Sequence, residues 1–219
     1  MYQDYEDKDE RYFNFVRKEL LDLIPDNLKQ KTILEVGAAS GSTLCYAKKK
    51  GLASKVIGYD LCKIENSLQC SELMDKFVIG DIESIDFDEG DKSVDVIICA
   101  DVLEHLKEPG TVLLKMQRIL KDDGVIISSI PNIRNKNVLK QIIFKGDFRY
   151  ADGGILDRTH LRFFCKKNIL ELFEDNGYKV EKTVMNPPIK IIINILRTLK
   201  RMIFRNFYAV QYYTVARKS

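Results

Sequence analysis

From residue 32 onward, segments rich in β-branched and apolar residues alternate with segments of helical periodicity. The predicted strands cover residues 32–36, 55–59, 76–79, 94–100, 125–129, 178–185 and 209–216. The fourth of these is an apolar run interrupted only by Asp95, which is typical of a strand buried on both faces. Strands separated by single helices are joined by right-handed crossovers, so the pattern predicts an α/β fold with a doubly wound parallel sheet.

Six segments before residue 177 have the periodicity of helices, and together with the strands and the basic segment 189–207 they fill one domain of 1–219. The predicted helices cover residues 11–24, 42–50, a stretch after Asp60 that runs through Met74, 110–120, 137–144 and 166–176. A chain of 219 residues is the size of one full domain with a core of its own. Residues 131–165 are mostly irregular, and we expect them to form an insertion on the substrate side.

The basic residues are unevenly distributed. Of the 35 lysines and arginines, 8 follow Glu181, the last acidic residue, so residues 1–181 carry a formal charge of −5 and the remainder +8. Within this tail, apolar residues recur at helical spacing across 189–207, with basic residues between them. The spacing predicts a basic amphipathic helix between the last two strands. It either packs its apolar stripe on the sheet or over the pocket, or rests on an anionic membrane surface.

Cysteine usage and the N-terminal residues bear on the compartment. Five cysteines are present and no pair has Cys-x-x-Cys spacing, so we expect reduced core thiols rather than a zinc or redox site. The acidic N-terminus lacks the pattern of a secretory signal, and no apolar run is long enough to span a membrane. We therefore expect a cytoplasmic protein, peripheral to the inner membrane face if 189–207 contacts lipid. No cluster of residues with metal-ligand spacing stands out, so no metal ligand is assigned and a metal requirement stays open.

Polar residues follow four of the predicted strands, at the edge where parallel sheets bind ligands. The first strand leads into the loop 35–41 (EVGAASG), where glycines let the backbone turn sharply and approach a ligand. Asp60, Asp81 and Asp101 end the next three strands. Each acid alone is more often a strand-end cap, but their joint occurrence predicts a nucleotide site, with Asp60 accepting from a ribose diol and Asp81 from an adenine amino group.

The sequence of the loop 35–41 indicates which class of nucleotide it binds. Positions 37, 39 and 42 are Gly, Ala and Ser, which departs from the Gly-x-Gly-x-x-Gly of dinucleotide binders, and the lysine of a phosphate-binding loop is missing. Glu35 at the loop entrance would repel a pyrophosphate but suits a cofactor that carries an ammonium and a sulfonium. The electrostatics therefore favour S-adenosylmethionine.

Four motifs in succession resemble those of the class I S-adenosylmethionine-dependent methyltransferases. They are 33–41 (ILEVGAASG), the strand-end Asp60, 80–82 (GDI) and 94–106 (VDVIICADVLEHL), and the likeness covers about residues 11–216. The resemblance implies a Rossmann-like methyltransferase fold, with a mostly parallel seven-stranded sheet, helices on both faces and an antiparallel last strand. It also implies S-adenosylmethionine as cofactor and S-adenosylhomocysteine as product.

The same resemblance assigns the cofactor-binding residues. Glu35, Gly37 and Gly41 would hold the methionine portion and Asp60 the ribose, while Leu61 and Ile82 would flank the adenine and Asp81 would receive its amino group. The remaining residues expected at this site are Ala38, Ala39, Ala100 and Asp101. Ala39 departs from the family pattern, which usually has glycine there, so its methyl group is expected to hold the loop slightly farther from the cofactor.

A hydroxyl acceptor must lose a proton, which calls for a base with a pKa near neutrality, and the chain has two histidines. His105 follows the fourth strand and is interpreted as a helix-start residue bonded to its neighbours. His160 follows a glycine-containing loop and is the predicted base, with Asp157 orienting its imidazole. The alternative is that Asp157 pairs with Arg158 or Arg162 in a structural connector.

The acceptor prediction rests on a narrower resemblance. The run 154–164 (GILDRTHLRFF), with Tyr12, Phe13, Arg17 and Gln211, resembles bacterial methyltransferases encoded with glycosyltransferases of surface-polysaccharide assembly. This implies O-methylation of a sugar hydroxyl on a small or lipid-linked glycan precursor. A quinone precursor, RNA held by the basic tail, and binding without turnover stay open as alternatives. No Asn-Pro-Pro-Tyr motif follows the fourth strand, so base methylation of nucleic acid is not expected.

Overall fold

The computed structural model describes residues 15–186 and 204–219, in which seven strands form one sheet. The strands are β1 Lys31–Val36, β2 Ala53–Asp60, β3 Lys76–Ile79, β4 Val94–Ala100, β5 Leu120–Pro131, β6 Tyr178–Asn186 and β7 Gln211–Lys218. Their spatial order is β3-β2-β1-β4-β5-β7-β6, with β7 antiparallel to both of its neighbours and the pairs among β1–β5 parallel. The predicted doubly wound sheet with an antiparallel last strand is confirmed.

The predicted helices 42–50, 110–120, 137–144 and 166–176 lie close to observed ones, whereas of the predicted helix 11–24 only Lys18–Leu21 is helical among the described residues. Six helices lie in the described ranges. They are α1 Lys18–Leu21, α2 Ser42–Lys49, α3 Pro109–Ile119, α4 Lys136–Lys145, α5 Lys166–Glu174 and α6 Arg205–Tyr208, with 3₁₀ turns at Asp26–Leu28, Leu68–Cys70 and Leu103–His105. Of the predicted amphipathic helix at 189–207, residues 189–203 lie outside the described residues, as do residues 11–14 of the first predicted helix. Across the described ranges, no helix combines the length and the apolar character needed to span a membrane.

The prediction of a helix between Asp60 and Met74 is wrong, because the described chain has only the 3₁₀ turn Leu68–Cys70 there. Asn66 takes a left-handed φ of 54°, which a continuous helix excludes. The side chain of Gln69 donates to the carbonyl oxygens of Ala39 at 2.7 Å and Cys62 at 3.1 Å. Tertiary hydrogen bonds thus replace helical ones, and the bond from Gln69 to Ala39 joins this segment to the loop after β1.

Apolar side chains cover both faces of the central strands. In β4, Ile97 and Cys99 pack with α3 and α5, whereas Val96 and Ile98 pack with α2. All four are fully buried. The two-sided burial explains the apolar run in the sequence and fixes the strand ends that carry the polar residues.

Candidate active site

A cavity of about 670 Å³ lies at the carboxyl ends of β1, β2 and β4. From β1 the chain moves outward to β2 and β3 and then crosses to β4 on the other side, so the cavity lies at the switch point where doubly wound sheets bind ligands. Of the predicted cofactor-binding residues, those that line it are Glu35, Gly37, Ala38, Ala39, Asp60, Leu61, Asp81, Ile82, Ala100 and Asp101. Gly41 is not among the lining residues of the cavity in the described chain; it is the N-cap of α2.

The loop after β1 is tightly held. Gly37 has a φ of 69°, and a Cβ there would lie 2.4 Å from Cγ2 of Val102, so only glycine fits. Ala39 also adopts a left-handed φ, of 47°. Its N–H donates to Oδ2 of Asp60 at 2.7 Å, which holds that conformation. The departure from glycine at position 39 therefore strains the backbone.

Asp60 joins the ends of β1 and β2. Besides the bond from Ala39, its Oδ1 accepts from the N–H of Cys62 at 3.0 Å. Burial raises the pKa of Asp60 despite these backbone donors. The N–H of Leu61 is a third backbone donor, so the four lone pairs of the carboxylate keep acceptor capacity for a hydroxyl group in the cavity.

Glu35 is the buried acid at the loop entrance. It is 2% exposed, and burial raises its pKa to about 8, against the opposing effect of the Arg17 guanidinium. Its Oε2 is buried and has no hydrogen-bond partner. A buried carboxylate oxygen without a donor is costly. A cationic or N–H donor from a ligand would relieve that cost, which fits the ammonium group of the expected cofactor.

Asp81 combines two roles. Its carboxylate accepts from the N–H of Glu83 at 2.9 Å and from the hydroxyl of Ser84 at 3.2 Å, so it caps the turn after β3. It also lines the cavity, with Leu61 and Ile82. The capping and the ligand interpretations of this acid are thus compatible.

Arg17 contributes to the cavity wall, a role that the sequence analysis missed. Its guanidinium donates to the Asp101 carboxylate and, at 3.0 Å, to the hydroxyl of Ser129. That hydroxyl lies 2.7 Å from the other oxygen of Asp101. Burial lowers the pKa of Arg17, but the carboxylates of Asp101 and Glu19 together outweigh it and the pKa lies above its usual range. No spacing in the sequence connects positions 17 and 101.

Both histidines lie beside this wall, and their rings are in contact. The centroids of His105 and His160 are 4.7 Å apart, with the ring planes at 70°. Nδ1 of His105 lies 3.0 Å from the carbonyl oxygen of Thr159, and Nδ1 of His160 lies 3.0 Å from that of Ile155. His105 lines the cavity, whereas His160 is not among the lining residues of the described chain.

Glu104 completes this histidine group. It is 1% exposed, and neither carboxylate oxygen has a hydrogen-bond partner. Its Oε1 lies 3.9 Å from Nε2 of His160. Burial, and then the Asp101 carboxylate, raise the pKa of Glu104 well above its usual range. The sequence analysis did not single out Glu104 as a functional residue.

Asp157 holds the turn that leads to His160. One carboxylate oxygen accepts from the N–H of Thr159 at 2.9 Å and from its hydroxyl at 2.6 Å. Arg158 pairs instead with Asp152, and Arg162 with Glu108. Because the Thr159 carbonyl contacts His105, Asp157 holds the loop that positions His105. The Ile155 carbonyl contacts Nδ1 of His160, and a role for Asp157 in orienting this imidazole stays a prediction.

Comparison with known proteins places this geometry in context. The family model described as "Methyltransferase domain" matches residues 9–183. A ubiquinone biosynthesis O-methyltransferase of Rickettsia typhi is 25% identical over 162 residues, covering 72% of this chain and 63% of that protein. The chain thus spans under two thirds of the length of this curated relative.

Solved structures share the whole fold at low identity. A SAM-dependent methyltransferase from Archaeoglobus fulgidus has a TM-score of 0.63 and 20% identity, covering 95% of this chain and 97% of that one. The 1,6-didemethyltoxoflavin-N1-methyltransferase of Burkholderia thailandensis, solved with S-adenosylhomocysteine, has a TM-score of 0.65 and 16% identity, covering 100% and 84%.

Proposed function

Because this chain belongs to the class I S-adenosylmethionine-dependent methyltransferases, we propose that it transfers a methyl group to a hydroxyl of a small ring-shaped acceptor. The observation that carries the proposal is the unpartnered Oε2 of Glu35 in the wall of the cavity. When bound, S-adenosylmethionine supplies an activated methyl group on a sulfonium. The residues of the chain then have to bind the cofactor and the acceptor, align the two, and remove the proton of the acceptor hydroxyl.

The cofactor roles follow from the positions of the lining residues. Glu35 would accept from the ammonium of the methionine portion, and the Asp60 oxygens would accept from the ribose hydroxyls. Leu61 and Ile82 would enclose the adenine, with Asp81 receiving its amino group. The tight turn at Gly37 keeps the backbone close to the methionine portion.

We assign proton removal to the group formed by Glu104, His105 and His160. His105 lines the cavity, and the ring of His160 contacts the ring of His105. In this proposal the predicted base, His160, acts within a group rather than alone, and Asp157 positions the loop. A hydroxyl held against His105 would be beside the sulfonium end of the cofactor.

A sugar hydroxyl of a surface-glycan precursor is the first acceptor class. Three aromatic side chains, Phe148, Tyr150 and Phe163, lie with ring centroids 5.6–6.2 Å apart, and Phe163 lies 6.3 Å from His160. Phe148 and Tyr150 are about half exposed. Flat apolar surfaces of this kind pack against ring-shaped ligands. The resemblance of 154–164 to glycan-associated methyltransferases favours a sugar.

A phenolic quinone precursor is the second candidate. The observation that favours it is the naming of the curated relatives, which are ubiquinone biosynthesis O-methyltransferases at 25–27% identity. The same aromatic side chains would stack on a phenol ring, and the same histidine group would take its proton.

A transfer assay with radiolabelled S-adenosylmethionine tests the proposal. Acceptors would be nucleotide- and lipid-linked sugars, catechol-type quinone precursors and total RNA, each with the wild-type chain and His160→Ala. We expect label in a sugar or a phenol, and loss of transfer in the variant with S-adenosylhomocysteine binding nearly unchanged. Label only in RNA, or full turnover by His160→Ala, would contradict the proposal.

A further inference from the structure

We propose that Glu104, His105 and His160 bind a divalent transition-metal ion of the Zn²⁺ type at the wall of the cavity. The three side chains are all buried, and one potential ligand atom from each lies within 4.8 Å of the others. Two imidazoles and one carboxylate form a donor set that suits Zn²⁺ and related ions. No ligand spacing marks this group in the sequence, because positions 105 and 160 are too far apart.

The orientation of both imidazoles supports the site. A carbonyl oxygen only accepts, so the contacts to Thr159 and Ile155 place the proton of each histidine on Nδ1. Nε2 of each ring then carries the lone pair, and Nε2 of His160 is the atom that faces Glu104. Metal-binding histidines characteristically donate the other ring N–H to a carbonyl or carboxylate in this way.

The carboxylate of Glu104 gives the second, independent observation. Both of its oxygens are buried without a hydrogen-bond partner, in a chain whose buried polar groups are otherwise mostly paired. A cation between this carboxylate and the imidazoles would satisfy it. Zinc bonds to nitrogen and oxygen are about 2.0–2.2 Å long, so ligand atoms around it are roughly 3–3.5 Å apart. Glu104 Oε1 and His160 Nε2 are 3.9 Å apart, and the ligand atoms of the group lie within 4.8 Å of one another, so binding of the ion would draw these side chains together.

The location of the group suggests what the ion does. Because His105 lines the cavity, an ion bound to it would have a coordination position directed towards the acceptor. There it would lower the pKa of an acceptor hydroxyl as a Lewis acid, so that the hydroxyl proton passes to water in the cavity, because imidazoles bound to the ion through Nε2 can no longer accept it. This role rests on the proposed function, whereas binding of the ion does not.

Metal titration of the chelator-treated full chain tests the site. Co²⁺ would be added first, with its visible absorption as readout, and then Zn²⁺ in competition. We expect one ion per chain with the spectrum of low-coordinate Co²⁺. Glu104→Gln and His160→Gln should each weaken binding by at least about 100-fold. Glu108→Gln, at an exposed carboxylate nearby, is the matched control and should bind as the wild type does.

Thermal unfolding separates loss of the site from loss of the fold. Without metal, Glu104→Gln should unfold at a higher temperature than the wild type, because it removes an unpartnered buried carboxylate. Zinc should raise the midpoint of the wild type and leave that of Glu104→Gln unchanged. Equal Co²⁺ binding by wild type and Glu104→Gln, or none by folded wild type, would overturn the site.

The outcomes for the two proposals are distinguishable. Stoichiometric Co²⁺ binding without methyl transfer to any hydroxyl would leave the metal site intact and refute the proposed function. Methyl transfer by a chain that binds no ion would refute the metal site and leave the proposed function.

Discussion

The guanidinium of Arg17 pairs with the carboxylate of Asp101, which joins the segment before α1 to the end of β4 across 84 positions of sequence. The side chains are 15% and 27% exposed, so the pair is shielded from water on most sides. Both residues line the cavity, and the Ser129 hydroxyl contacts both of them. This pair therefore fixes one wall of the site.

A double-mutant cycle measures that coupling. Arg17→Met and Asp101→Asn should each lower the free energy of unfolding, and the double variant should lose less than their sum. We expect a coupling of about 1–3 kcal/mol by urea denaturation, since the pair is largely shielded. The exposed pair of Lys29 and Asp26 is the control and should show no measurable coupling. Equal couplings in the two pairs would contradict this description of the wall.

The buried Glu35 predicts a pH dependence of stability. Its pKa is raised from 4.5 to about 8 in the folded chain, so the folded state binds more protons than the unfolded state between these values. The ligand-free chain should therefore lose stability as pH rises from about 5 to 8. Glu35→Gln should remove that loss and be more stable than the wild type by a few kcal/mol at pH 8.

Denaturant unfolding at pH 5, 6.5 and 8 checks this expectation. Parallel pH profiles for the wild type and Glu35→Gln would show that Glu35 titrates normally in the folded chain. Glu35→Gln should also weaken S-adenosylhomocysteine binding, because the acceptor for its ammonium loses its charge.

The strained backbone at Ala39 predicts that a glycine at this position makes the folded chain more stable. Ala39→Gly removes a left-handed alanine that costs about 1–2 kcal/mol and adds backbone entropy to the unfolded chain of about 0.5–1 kcal/mol. The net effect should be a gain in stability of up to about 1 kcal/mol. Ala38→Gly is the control in the same loop, where φ is not positive, and it should be destabilising. A lower melting temperature for Ala39→Gly would show that the methyl group makes favourable contacts that outweigh the strain.

The turn at Gly37 predicts that a substitution there, unlike Ala39→Gly, lowers the stability of the folded chain. Gly37→Ala should be destabilising and should abolish cofactor binding, because its φ is left-handed and the new methyl group would overlap Val102. Gly153→Ala is the matched control, since a Cβ at Gly153 meets nothing within 4 Å. Unaltered S-adenosylhomocysteine affinity in Gly37→Ala would mean that the loop does not contact the cofactor.

Local sequence patterns were enough to predict most of the fold. Because β4 is buried on both faces, its sequence is an apolar run that predicts a strand. The polar residues at the strand ends are visible in the sequence as well, and they predict which edge of the sheet binds a ligand. The segment after Asp60 was misassigned because the contacts of Gln69 with Ala39 and Cys62, which replace a helix there, are tertiary.

The acceptor side was less predictable for a related reason. His105, His160 and Glu104 meet through the loop that Asp157 and Thr159 hold, and loop geometry of this kind leaves no periodic signal. Arg17 was noticed only within a family resemblance, and its partner Asp101 was expected to serve the cofactor alone. Long-range pairs between a terminal segment and a strand end lie beyond what spacing can show.

The most direct test is calorimetric titration of the full chain with S-adenosylhomocysteine, comparing the wild type with Asp60→Ala and Asp60→Asn. The proposed site predicts one molecule bound per chain, with affinity at least about 10-fold lower in Asp60→Ala, which loses charge-assisted bonds to the ribose. Asp60→Asn, which keeps one acceptor oxygen, should be intermediate, and Asp91→Ala at an exposed, distant acid should match the wild type. Absence of binding by the wild type, or equal affinity in Asp60→Ala, would contradict the assignment of this cavity.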